Sequence, residues 1–166
     1  MPGVREQRVL DPLFYGLSSA ADHGMLWIAI GALRAARRGD PAIAIRLGAV
    51  MGIESAFTNG AVKSMFRRLR PDLVDGLDDG PLPYGMHRPI TSSFPSGHAT
   101  SAFTAAMMLS EDERGAAWYF ALAALVATSR VYVRMHHTSD VVVGAALGIA
   151  FGMIGRRVLT LDRGSP

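Results

Sequence analysis

Five stretches poor in charge alternate with short polar clusters along this chain, and the pattern predicts an all-α bundle. The first lies within Ser18 to Arg38. Its charge-free part, Gly24 to Leu33, crosses a bilayer only if Ala20 to His23 extend it and Arg34, Arg37 and Arg38 snorkel at the other end. A tight turn at Gly39-Asp40-Pro41 leads into Ala42 to Val62, which carries Arg46 near one end and Glu54, Thr58 and Asn59 inside. Ser96 to Ser110, Ala116 to Val131 and Asp140 to Val158 complete the set, with a polar turn at Glu111 to Gly115. Ahead of them, Asp11-Pro12 reads as an N-cap and first helical residue, so residues 1–17 are expected to hold a short helix at the membrane surface. The expected architecture is one domain over residues 1–166, an integral membrane bundle of about five transmembrane helices.

The second stretch continues as a basic amphipathic helix, Lys63 to Arg70, ended by Pro71. Residues 72–91 are rich in Pro, Gly and Asp and read as a long functional loop or lid. Five crossings put the chain ends on opposite sides. They also bring three polar clusters to one face: Lys63 to Pro71, Pro95 to His98, and Ser129 to Asp140. On the last helix, Gly144, Gly148 and Gly152 recur at every fourth position. Such a face lets helices approach closely in a membrane. Ordinary tight packing is the favoured reading, and a homo-oligomer seam is the alternative.

Composition adds limits. Hydrophobic residues make up 49%, charged residues 19%, and the mean hydropathy is +0.22, which fits a small membrane protein with polar ends. No cysteine is present, so disulfides and thiolate metal sites are excluded. The first residues show no secretory leader pattern. The net charge of +3 is carried almost wholly by arginine. Those arginines sit between apolar runs rather than along a solvated stripe. That argues against nucleic acid and for anionic lipid or a phosphorylated substrate.

The clusters hold the residue types that phosphate chemistry needs. Lys63, Arg70 and Arg130 can converge on a phosphate, with the arginine forks matching its oxygens in shape as well as charge. Arg67 and Arg68 read instead as anchors to lipid headgroups. Pro95-Ser96-Gly97-His98 opens a helix, whose N-terminus is a natural anion site; Ser96 caps it and Gly97 lets backbone approach a ligand. His98 in that first turn is by itself an ordinary capped-helix histidine, and the second histidine cluster lifts it above that reading. His136 and Asp140 stand four apart, so a carboxylate can fix the imidazole tautomer and free the other nitrogen as nucleophile or base. Metal binding by His98, His136, His137 and Asp140 is the rival, disfavoured by the surrounding cations. Glu54, ionisable within a span, supports the site or forms a structural pair with Arg46 or Arg130.

Lys63-x6-Arg70-Pro71, Pro95-Ser96-Gly97-His98 and Ser129-Arg130-x5-His136-x3-Asp140 together resemble the three-part signature of the type 2 phosphatidic acid phosphatase (PAP2) superfamily, which also includes the vanadium haloperoxidases. The resemblance covers roughly residues 42–158. It implies a metal-independent lipid phosphatase that needs no cofactor. In that scheme His136 becomes phosphohistidine, Asp140 orients it, and His98 protonates the leaving oxygen and then activates water. Lys63, Arg70, Ser96, Gly97 and Arg130 would cradle the phosphate. Size and an Arg/Ala-rich style are similar to actinobacterial members, implying a polyprenyl-linked substrate such as decaprenylphosphoryl-5-phosphoribose. Undecaprenyl pyrophosphate, phosphatidylglycerophosphate and phosphatidate are the rivals. A lipid phosphotransferase and a non-catalytic lipid-binding scaffold are the alternatives from other classes. The acidic residues Asp72, Asp75, Asp78 and Asp79 read as a solvated loop, or as partners for sugar hydroxyls. Basic residues are balanced between the two ends of the bundle. The family therefore decides the expected setting: the bacterial inner membrane, with the site on the extracytoplasmic side.

Overall fold

The computed structural model describes residues 3–71, 91–111 and 116–159. Every regular element in these segments is helical. The acidic stretch 72–79 lies outside them, as does most of the polar turn after Glu111.

Helix α1 runs Gly3–Ala20, with Pro12 inside it rather than at its start. The expected short surface helix is therefore longer, and it docks on the bundle. Phe14 stacks on Tyr132 at 4.5 Å between ring centroids, and the Tyr132 hydroxyl donates to Asp11 Oδ1 at 2.9 Å. The expected first span is broken. A 3-10 turn, Asp22–Gly24, separates α1 from α2, Met25–Arg38, because His23 (φ 52°) and Gly24 (φ 73°) both take left-handed backbone. The 14 residues of α2 cover about 21 Å at 1.5 Å per residue, short of a full crossing.

Helix α3, Ala42–Ser55, continues through a π-helical segment, Ala56–Val62, into one last α-turn, Lys63–Met65. The basic helix expected up to Arg70 does not form. Phe66 turns extended and packs edge-on to Phe94, with 4.7 Å between ring centroids. Residues 66–70 then lie beside 92–93, where Ser93 N donates to Arg68 O at 3.0 Å and Ser93 Oγ to Leu69 O at 3.1 Å. The remaining helices are α4, Gly97–Leu109, α5, Ala117–Tyr132, and α6, Thr138–Val158. All three lie within two residues of their expected bounds. Among the described residues only α6 is both long and apolar enough to cross a membrane by itself.

Small residues build the core. Ala99, Ala102, Ala105, Ala106 and Ala123 are fully buried, while Ile45, Ile53, Leu125, Val142 and Ile154 point outward. Close backbone approach in the middle and large apolar side chains outside is the packing of helices in lipid. The glycine face of α6 is spent inside this chain. A Cβ on Gly144 would sit 2.7 Å from Ser96 O, one on Gly148 would strike Thr100 O, and one on Gly152 would strike Met107. The suggested oligomer seam is thus occupied by α4. Glu54 is also reassigned: Arg46 pairs with Glu111 at 3.0 Å, and Glu54 accepts from Ser101 Oγ at 2.8 Å, tying α3 to α4.

Gly148→Ala should therefore cost about 1–3 kcal/mol through overpacking. Gly16→Ala, whose Cβ would meet nothing within 4 Å, should be neutral or gain up to about 1 kcal/mol from helix propensity. Thermal unfolding in detergent measures both.

Candidate active site

The three polar clusters meet at one end of the bundle around a cavity of about 910 Å³. Lys63, Arg70, Gly97, His98, Arg130 and His136 all line it. Each comes from the end of an element. The last turn after the π-helical segment supplies Lys63, the extended strand-like run supplies Arg70, the N-terminus of α4 supplies Gly97 and His98, and the end of α5 supplies Arg130. His136 sits in the link between α5 and α6.

The second cluster forms a capped helix start. Ser96 is the N-cap of α4, and its Oγ accepts from Ala99 N at 3.4 Å. A Cβ at Gly97 would lie 3.2 Å from Asn59 Oδ1 and 3.5 Å from Lys63 Nζ, so the missing side chain lets the lysine reach the helix end. The π-helical widening places Asn59 and Lys63 on the cavity together, and such insertions recur at functional sites.

His136 is held from one side. Its Nδ1 lies 2.7 Å from Ser93 O. A carbonyl only accepts, so Nδ1 carries the proton and Nε2 keeps its lone pair. That Nε2 lies 3.5 Å from Arg70 Nη1. The expected orienting partner, Asp140, is farther off: its Oδ2 stands 3.7 Å from His136 Nδ1. The fully buried carboxylate accepts instead from Arg68 Nη1 at 2.7 Å and His137 N at 2.9 Å. Asp140 thus fixes the α5–α6 link and the field around His136, while the Ser93 carbonyl sets its tautomer. Burial is the main influence on the His136 imidazole and depresses it to about 4. Arg70 and Arg130 push the same way, and the nearby Asp140 carboxylate opposes them.

The cations are anchored before any ligand arrives. Arg70 donates to Met135 O at 2.8 Å and Thr91 O at 3.2 Å, and Arg130 to Ser18 Oγ on α1. Arg130 Nε is buried and meets no acceptor among the described residues. His98 Nε2 lies 2.8 Å from Asp22 Oδ1. Of the four residues weighed as metal ligands, His98 meets Asp22, His136 meets Ser93 O, Asp140 meets Arg68, and His137 Nδ1 lies 3.3 Å from Asp140 Oδ2.

Four participants escaped the sequence reading. Asp22 lies in a stretch whose composition reads as helix extension, although His23-Gly24 carries a break signal. Arg68, by its sequence position an anchor to lipid headgroups, bonds Asp140 and Ser139 Oγ. Asn59 carried no motif. The Ser93 carbonyl is backbone, which no residue type announces.

Residues 43–162 match the family model of the PAP2 superfamily. The decaprenylphosphoryl-5-phosphoribose phosphatase of Mycobacterium tuberculosis is 33% identical over 142 residues, covering 84% of this chain and 75% of that protein. The crystal structure of Aquifex aeolicus LpxE superposes with a TM-score of 0.71 at 28% identity, covering 90% of this chain and 86% of that one. The transmembrane PAP2-type phosphatidylglycerolphosphate phosphatase of Bacillus subtilis superposes at 0.70 with 24% identity, covering 94% and 80%, and shares the fold. The chain belongs to the PAP2 superfamily. A phosphatase is the enzyme class it shares with these relatives.

The free-enzyme acidic limb of kcat/KM should fall towards pH 4, where His136 Nε2 takes up a proton and ceases to be a nucleophile. A limb centred near the ordinary histidine value of about 6.5 would contradict that state of His136.

Proposed function

We propose that the protein is a metal-independent lipid phosphatase working through a phosphohistidine on His136. The observation that carries this reading is the free Nε2 of His136 beside Arg70, facing the same cavity as His98, Lys63 and Arg130. The phosphate of a lipid enters the cradle of Lys63, Arg70, Arg130 and the N–H groups around Ser96 and Gly97. His136 Nε2 bonds to phosphorus as the bond to the lipid oxygen breaks. His98 gives that oxygen a proton. The neutral His98 then takes a proton from water as the water oxygen attacks phosphorus. The nitrogen–phosphorus bond breaks, and phosphate leaves.

The outward apolar side chains and the crowded small-residue core support an integral membrane protein, with α6 long and apolar enough to cross by itself. A bilayer would also supply the substrate, because a lipid phosphate diffuses within its plane. Similarity to the mycobacterial phosphatase over most of both chains supports a polyprenyl-linked phosphate as the substrate class. We place the protein in the bacterial inner membrane with the site facing outward.

Phosphate release from polyprenyl-linked, phosphatidylglycerophosphate and phosphatidate substrates, measured in EDTA, tests the chemistry. Wild type should stay active in chelator, and His136→Ala should lose at least about 10³-fold. Activity abolished by EDTA would remove the metal-free mechanism, and transfer of phosphate to an added alcohol in place of water would mark a phosphotransferase. Orientation is tested in the cysteine-free background. Arg67→Cys, near the site, should react with an impermeant maleimide on intact cells, and Arg38→Cys, at the far end, only after permeabilisation; the reverse pattern would place the site inside.

A further inference from the structure

The three motifs leave one carboxylate of the cavity unused. Asp22 stands on the 3-10 turn between α1 and α2, outside every motif position, and is the only acidic residue among the described residues that line the cavity. Its Oδ1 lies 2.8 Å from His98 Nε2. The turn that delivers it is unusual, since His23 follows in left-handed backbone at φ 52°, a region few non-glycine residues occupy. Gly24 at φ 73° then starts α2 in a new direction. A straight helix through residues 18–38 would have no such corner to bring a side chain to the head of α4.

The charges around His98 give that carboxylate a task. The imidazole is largely buried, Arg130 on α5 and Lys63 at the end of α3 bear on it, and Arg70, His23 and His136 line the same cavity. A phosphate site needs these cations, but a cation beside an imidazole disfavours its protonated form. An acid that must hold a proton there requires a local negative charge. The hydrogen bond with His98 is the main influence holding the Asp22 carboxyl below its ordinary range, so it is an anion at neutral pH.

We infer that Asp22 is a positioning residue for His98: its carboxylate holds Nε2–H, which leaves Nδ1 to exchange the proton with the leaving oxygen. This rests on the proposed role of His98 as acid. The proton balance is closed: Nδ1–H passes to the oxygen as the phosphorus–oxygen bond breaks, and water returns a proton to Nδ1 as its oxygen bonds to phosphorus. Asp22 stays ionised and touches no reacting atom.

The full-length protein in detergent, with two phosphate esters, tests this. An alkyl lipid phosphate has a leaving oxygen that needs the proton, and a p-nitrophenyl phosphate does not. For Asp22→Asn, first-turnover release from the alkyl ester should drop about 10- to 100-fold with KM little changed, while first-turnover nitrophenolate release stays within about threefold. The alkaline limb on the alkyl ester should move to lower pH. Asp22→Glu, which retains the charge, should recover most of the loss, and it keeps the idea testable should Asp22→Asn unfold. Equal losses on both esters, or no loss on either, would overturn the role of Asp22 while leaving the phosphatase reading standing. Wild type inactive on every phosphate ester would overturn that reading and this one together.

Discussion

The contact between α4 and α6, made without a side chain between the backbones, is the constraint on which the site depends. Gly144 faces Ser96 O, Gly148 faces Thr100 O, and Gly152 faces Met107. The same seam carries a backbone bond from Ser96 N to Asp140 O at 3.0 Å and one from Thr104 Oγ1 to Gly148 O at 3.2 Å. The second motif begins α4 and the third ends in α6, so register along this seam sets where His98 stands relative to His136. Slippage by one turn would separate them by about 5.4 Å, enough to take an acid out of reach of the group a nucleophile attacks.

Around that seam, the cations pose a problem that the fold answers locally. Lys63, Arg70 and Arg130 repel one another across a cavity partly walled by apolar helices. Neutral oxygens help to hold two of them: carbonyls of residues 91 and 135 accept from Arg70, and the Ser18 hydroxyl accepts from Arg130. Carboxylates stand one step back, Asp140 on Arg68 and Asp22 on His98.

Much of this was legible in the sequence, and what was not has physical causes. The motif spacing brought Lys63, Arg70, Gly97, His98, Arg130 and His136 to one face, and the structure has them lining one cavity. Helices α4 to α6 followed their apolar runs because small residues and hydrophobes fill them without interruption. Errors arose where backbone conformation outweighed composition. Residues 18–38 read as one helix because apolar content hides a left-handed corner at His23-Gly24. Lys63 to Arg70 reads as helix because its basic residues recur at helical spacing, yet the chain turns extended at Phe66, whose ring packs on Phe94. The role given to Asp140 differs for a similar reason: a four-residue separation brings side chains near, but the link before α6 turns His136 towards Ser93.

The opposite end of the bundle explains why α4 can serve as the anion-binding element. A helix presents partial positive charge at its N-terminus and leaves bare carbonyls at the other end. Three arginines from three different helices close the far end of α4. Arg34 of α2 donates to Leu109 O and to Glu111 O, Arg46 of α3 pairs with Glu111, and Arg156 of α6 donates to Ser110 Oγ at 2.7 Å. These cations look at first like the topology signal of a membrane protein, but their atoms are committed to the C-terminal turn of one helix. The arginines near the cavity stand at the other end of α4, where Arg70 donates to Met135 O and Thr91 O and Arg130 to Ser18 Oγ. Position along α4 thus separates the two sets. One neutralises the carbonyl end of the helix, and the other adds to the field of its N–H end, where a phosphate would be held.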